Sequence, residues 1–238
     1  MIAKDYYLLF NNYMELYKLK DYIYYSDYEE ERDRPSIGYI LGDNFSVAID
    51  AGHSKEHLDE FYEALKENNL PLPSLTIITH WHWDHSFAMH CINGLSIANK
   101  RTNQYLKDFI KNRSEENDYK FLHLDPSITK EYLNQELIVV PCDIEFEKEL
   151  VIDLGNTKLK LFEAVSSHTD DSTLIYLEKE KVLFFGDAMS GVFPTWIRDP
   201  KLRDEFYNTI NKLDVEYCLG GHWKPFKKEE LLKELFID

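Results

Sequence analysis

The sequence predicts an α/β domain made of two packed sheets with helices on their outer faces. Three observations carry this. Strand-like and amphipathic segments alternate along the chain, with no low-complexity linker and no short repeat. The strand-like segments fall into two blocks, separated by the polar stretch 101–136, and each block brings its own helices. The 238 residues suffice for one large core but not comfortably for two, so residues 1–238 are expected to form a single domain.

In order, Gly38-Tyr39-Ile40-Leu41 and Ser46-Val47-Ala48-Ile49-Asp50 flank the turn Gly42-Asp43-Asn44, which predicts a hairpin. Residues 54–68 read as a helix, with Ser54 as its cap and Leu58, Phe61 and Leu65 on one face. Leu75-Thr76-Ile77-Ile78-Thr79 is a short β-rich run that delivers His80 at its end, and Ser96-Ile97-Ala98 is a weaker strand. Residues 101–136 are mostly helical in pattern. A solvated surface segment is expected there, ahead of a lid over the site. The second block predicts strands at 137–140, 150–153, 158–163, 173–177 and 181–185, a helix over 199–213, a strand at 216–219 and a closing helix over 227–236.

Composition removes several classes of function. Hydrophobic residues make up 44% and charged residues 29%, ordinary for a soluble protein, and no apolar run is long enough to cross a bilayer. The start, Met1-Ile2-Ala3-Lys4-Asp5-Tyr6, lacks the features of a signal peptide, so a cytoplasmic protein is expected. Cys91, Cys142 and Cys218 are scattered, form no C-x-x-C pair and read as small core residues. The net charge of −16 repels phosphate backbones and anionic membranes, so neither nucleic acid nor membrane is an expected partner. A small anionic substrate stays open, because divalent cations reverse the sign inside a cleft. Many of the sixteen tyrosines lie in residues 6–28; that cluster reads as core or as a subunit interface, which leaves a homo-oligomer open.

Chemistry is concentrated in His80-Trp81-His82-Trp83-Asp84-His85, which holds three of the nine histidines. Imidazole nitrogen and carboxylate oxygen are ligands for zinc, iron or manganese. In extended backbone His80 and His82 point the same way and can grip one ion, while a following turn can aim Asp84 and His85 at a second. Trp81 and Trp83 alternate with the histidines and are expected to pack on the opposite side. Three later strands end in the same kind of residue: Ser166-Ser167-His168 follows one, Gly186-Asp187 the next, and Gly220-Gly221-His222 the last.

On these residues the chain resembles the metallo-β-lactamase superfamily. Asp50 in Val47-Ala48-Ile49-Asp50-Ala51-Gly52 matches that family's early strand–Asp–x–Gly element, His80 to His85 its signature, and His168, Asp187 and His222 its later ligand motifs, over about residues 37 to 225. The resemblance implies a four-layer αβ/βα sandwich with two mixed sheets and the site at one edge. It implies two divalent metal ions, zinc ahead of iron or manganese. His80, His82 and His168 would hold one, Asp84, His85 and His222 the other, and Asp187 would bridge them. Asp84 would also orient the attacking water. Asp50 would not be a ligand but would orient a ligand histidine or a bound water. Two departures from the family pattern, Ser86-Phe87-Ala88 after Asp84-His85 and Thr169-Asp170-Asp171-Ser172 after His168, alter backbone rather than ligands.

The activity so implied is a metal-dependent hydrolase that directs hydroxide at a small ester, thioester, lactone or phosphodiester. A bridging Asp187 resembles the thioesterase, lactonase and phosphodiesterase branches more than the true β-lactamases. A β-lactamase, a mononuclear iron enzyme of the persulfide dioxygenase type and a non-catalytic binding protein on the same fold are the alternatives. Trp196 and Lys224 are the candidate substrate contacts.

Overall fold

The computed structural model describes residues 14–237. The segment Met1-Ile2-Ala3-Lys4-Asp5-Tyr6 and the tyrosines Tyr6, Tyr7 and Tyr13 lie outside the described residues. Among the described residues the strands form two sheets. The first runs in chain order: β1 (Leu16–Lys20), β2 (Ile23–Ser26), β3 (Gly38–Ile40), β4 (Val47–Ile49), β5 (Leu75–Ile78), β6 (Leu95–Asn99) and β7 (Ile144–Phe146). It is antiparallel from β1 to β4 and parallel from β4 to β7. The second comprises β8 (Glu149–Asp153), β9 (Lys158–Glu163), β10 (Thr173–Leu177), β11 (Val182–Gly186), β12 (Tyr217–Gly220) and β13 (Phe226–Lys227), in spatial order β13-β12-β11-β10-β9-β8. Only β11 and β12 pair in parallel there.

Three apolar clusters define the layers. Between the sheets, Ile40, Val47, Ile49, Ile77 and Ile97 meet Leu161, Ile175, Leu177, Val182, Phe184 and Leu219. The sheets come so close at Gly38 that a Cβ there would lie 2.6 Å from the Phe184 ring. Helix α1 (Lys55–Glu67), the short α2 (Trp83–Ser86), α3 (Lys100–Lys111), α4 (Glu115–Leu122) and α5 (Pro126–Glu131) cover the outer face of the first sheet. Helices α6 (Pro200–Lys212) and α7 (Lys228–Glu234) cover the second. This is the αβ/βα sandwich. Strands β10 and β11 are buried at every position, which explains why they read as continuous apolar runs rather than alternating ones. Ser54 caps α1 by accepting from the His57 amide.

Two expectations need correction. Residues 137–140 are not a strand. Leu137 and Val139 pack into the helical side of the first sheet, and pairing with β6 begins only at Ile144. Their apolar character comes from burial under helices, not from a ladder. Nor is 101–136 simply a solvated surface. Phe121, Ile128 and Tyr132 are buried, and Phe121 packs on Trp83 and Phe87.

Helix α5 has a second task. Glu131, fully buried at its end, receives Arg34 Nε at 2.8 Å and the Ser54 hydroxyl. Arg34 is itself buried and also reaches Glu60 at 3.0 Å. It closes a tight hairpin in which Glu29 and Arg34 exchange backbone hydrogen bonds of 2.8 and 2.9 Å. Removing one partner of a buried pair strands the other charge. Arg34→Met should therefore cost about 3 kcal/mol in chemical denaturation, and Arg34→Met/Glu131→Met should recover most of the loss. A single substitution without cost would show that the pair does not hold the hairpin.

His57, under this hairpin, is held well below its ordinary pKa by burial and then by the Arg34 charge. The folded protein keeps it neutral at pH values where the unfolded chain takes up a proton. Stability should thus fall as pH drops below about 6.5, by about 1.4 kcal/mol per pH unit from this residue. Denaturation midpoints of chelator-treated protein between pH 7.5 and 5 check this, and His57→Gln should flatten the slope.

Candidate metal centre

The site lies where strand ends of both sheets converge. Asp50 follows β4, His80 follows β5, and α2 carries Asp84 and His85. From the second sheet come His168 between β9 and β10, Asp187 after β11 and His222 after β12. The two sheets are joined at this edge by Thr173 N donating to Thr79 O at 2.8 Å.

Two groups of side chains form. The potential ligand atoms of His80, His82 and His168 lie within 4.8 Å of one another, as do those of Asp84, His85, Asp187 and His222. His168 Nε2 is 2.8 Å from His82 Nδ1. His222 Nε2 is 3.0 Å from Asp84 Oδ2 and 3.3 Å from Asp187 Oδ2, and His85 Nε2 is 3.4 Å from Asp187 Oδ1. Asp187 Oδ2 also lies 3.8 Å from His168 Nε2, so this carboxylate stands between the groups. All seven residues expected as ligands are therefore brought together.

Asp50 contributes from behind. It adopts φ 67°, a left-handed backbone that Asp tolerates better than most residues. Its carboxylate accepts from Thr79 N at 2.7 Å, Thr79 Oγ1 at 2.9 Å and His85 Nδ1 at 2.7 Å. His80 Nδ1 in turn meets Thr79 Oγ1 at 3.1 Å, and His168 Nδ1 donates to Gly191 O at 2.9 Å. Each of these rings is held from its outer side, which leaves the other nitrogen for the centre.

The electrostatics split along the same line. Burial, then the neighbouring histidines, holds His80 well below its usual pKa, and burial and His168 push His82 down to about 3. Both are neutral, the form that binds metal. In the second group burial opposes charge on every member, but mutual attraction wins. Asp84 and Asp187 raise His85 and His222 well above the ordinary value, and those histidines hold the carboxylates well below theirs. A divalent cation would replace those protons. The side chains fit such an ion: His80 Nε2 and Asp187 Oδ1 are buried without a hydrogen-bond partner, a costly state unless something else bonds to them. Nitrogen and oxygen donors of this kind are within the ligand range of zinc, iron and manganese.

Trp83 is buried in the helical core as expected, but its indole Nε1 donates to Asp33 Oδ2 at 3.3 Å. Trp81 is only half-buried, against Tyr105. Trp196 is 56% exposed and stacks on the His168 ring, with centroids 6.2 Å apart. Lys224 is exposed, and with Trp223 it lines a groove of about 670 Å³ beside His222 that also carries Asp27, Glu29, Glu30 and Glu31. Three contributors were not anticipated. Asp171 ties the His168 loop to the His80–His85 segment by accepting from Trp81 N at 2.9 Å. Gly221 lets its chain pass against two candidate ligands: a Cβ there would lie 2.6 Å from His85 Cε1 and 2.7 Å from Asp187 Oδ1. Asp33 stands next to His222; burial and then the Asp84 charge push its carboxyl up to about 7.

Comparison with known proteins places the chain in a family and a fold. The family model of the metallo-beta-lactamase superfamily matches residues 32–222. Proteins described as acyl-coenzyme A thioesterase MBLAC2, from Bos taurus and Homo sapiens, are each 23% identical over 221 residues, covering 86% of this chain and 78% of theirs. Among solved structures, a metallo-beta-lactamase from Pontibacter korlensis has a TM-score of 0.68 at 17% identity, covering 93% of this chain and 97% of that one. The DIM-1 metallo-beta-lactamase has a TM-score of 0.64 at 18% identity, covering 93% and 94%. At such identities the solved structures speak for the fold alone.

The contact at Gly221 makes a direct expectation. Gly221→Ala should lose about 1–3 kcal/mol of stability through overpacking and should bind less metal because His85 is displaced. Denaturation of the chelated protein together with metal content after reconstitution measures both. Wild-type values for both would mean that the close approach is unimportant.

Proposed function

Because the chain belongs to the metallo-β-lactamase superfamily and is a hydrolase of that fold, we propose that it hydrolyses small acyl thioesters at a centre of two divalent cations. The observation that carries the reading is the position of Asp187. Its buried carboxylate lies between a three-histidine group and a group of two histidines and an aspartate. His80, His82 and His168 would hold one cation, Asp84, His85 and His222 the other, and Asp187 would serve both. Bound cations supply acidification of a water and polarisation of the substrate carbonyl. The protein's own groups do the rest. Asp50 fixes the His85 ring, and Asp84, between His85 and His222, would orient the attacking water. Trp196, with exposed Val192 and Ile197, offers an apolar wall for an acyl group, and Lys224, exposed two residues beyond His222, would meet a negatively charged substituent.

The thioester is supported by the relatives described as acyl-coenzyme A thioesterases, which match over most of their length. Zinc is favoured as the ion by the nitrogen-rich donor set. The test is metal quantification on purified protein combined with a panel of acyl thioesters, p-nitrophenyl phosphodiesters, lactones and a cephalosporin. Two equivalents of metal per chain and highest kcat/KM on a thioester are expected, and Asp187→Ala should lose at least one equivalent and the activity. One iron per chain with thiol-dependent oxygen uptake would sink the reading, and a preference for the cephalosporin would move it to a β-lactamase.

A further inference from the structure

A metal-bound imidazole is held from behind by a hydrogen bond to its other nitrogen. Three ligand histidines have such a partner: Thr79 for His80, Asp50 for His85 and the Gly191 carbonyl for His168. His222 turns Nε2 toward Asp84 and Asp187, which leaves Nδ1 on the far side. The carboxylate facing that nitrogen is Asp33, with Oδ1 3.9 Å away.

Asp33 is built into place. Its φ of 51° is left-handed, in the turn closed by Asp33 N donating to Glu30 O at 3.2 Å. Its carbonyl accepts from His53 Nδ1 at 3.0 Å, and its other carboxylate oxygen accepts from Trp83 Nε1. The hairpin is locked below by Arg34 and Glu131. It is tied to the ligand's own segment by Ser36 N donating to Gly221 O at 2.7 Å. Backbone, indole and ion pair together leave the carboxylate little choice of position.

We infer that Asp33 is a positioning residue for the second metal subsite, accepting the Nδ1 proton of His222 and so orienting Nε2 toward the cation. The inference rests on the two-metal reading. At 3.9 Å the pair lies beyond hydrogen-bond length, so the bond requires the His222 side chain, which is 22% exposed, to shift toward Asp33. Both carboxylate oxygens are used, one for Trp83 and one for His222. An amide in the same place keeps one acceptor oxygen and turns an NH2 donor toward the other of the two donors, which it leaves unsatisfied.

The test uses full-length protein and a chromogenic chelator competing for Zn²⁺, with the Co²⁺ absorption spectrum as a second readout. Asp33→Gly keeps the left-handed backbone and removes the carboxylate; Asp33→Asn keeps shape and one acceptor. Wild type should take up two equivalents. Asp33→Gly should bind the second equivalent 10–100-fold more weakly while holding the first unchanged. Asp33→Asn should fall between, and adding Trp83→Phe to it should restore affinity by freeing its acceptor for His222. Two wild-type equivalents with an unchanged second affinity in Asp33→Gly would overturn the inference alone. Equal weakening of both equivalents would also overturn it, showing a merely structural role. A wild type that takes up a single equivalent would overturn the two-metal reading and the inference with it.

Discussion

The arrangement of the site depends on one buried carboxylate, that of Asp50. A charge in this position is tolerable only if its oxygens are bonded, and three donors do so. Two come from Thr79, at the end of β5, and one from His85 on α2. Through the Thr79 hydroxyl the same carboxylate reaches the ring of His80. One group thus sets the orientation of one histidine in each half of the centre. The left-handed backbone at Asp50 is what turns the chain out of β4 so that the carboxylate faces those donors.

The same economy holds at the hairpin of residues 29–34. Arg34 and Glu131 are both out of water, and their attraction is bought against a large desolvation cost. Such a pair is a poor source of stability but a strict geometric constraint, because neither partner can move without stranding the other. It also gives the polar stretch 101–136 an interior role, since Glu131 at the end of α5 supplies the buried carboxylate.

Much of this was legible in the sequence. Histidines and aspartates at the ends of apolar strands are conspicuous, since strands hold side chains rigidly and ligand types are few. The two blocks of strands translated into two sheets, except that β7, beyond the 101–136 stretch, completes the first. What escaped notice had no such contrast. Asp33 and Arg34 sit in the run Glu29-Glu30-Glu31-Arg32-Asp33-Arg34, which carries no apolar contrast; the sequence alone does not say that Arg34 turns inward or that Asp33 faces His222. Strand β1 and strand β2 are short, half-buried and tyrosine-rich, so their alternation is weak. Residues 137–140 are apolar because helices cover them, and an apolar run of four carries no period to separate that case from a strand.

The distribution of the site residues over the two sheets has a consequence for how the protein comes into being. His80 to His85 hang from the first sheet, and His168, Asp187 and His222 from the second. A chain still being synthesised presents the early histidines long before their counterparts exist. Before the second sheet forms, only His80, His82, Asp84 and His85 are on offer, two from each group, a combination with little power to tell one ion from another. Any discrimination among ions would therefore belong to the closed seam rather than to the motif, and would come only once the second sheet is in place.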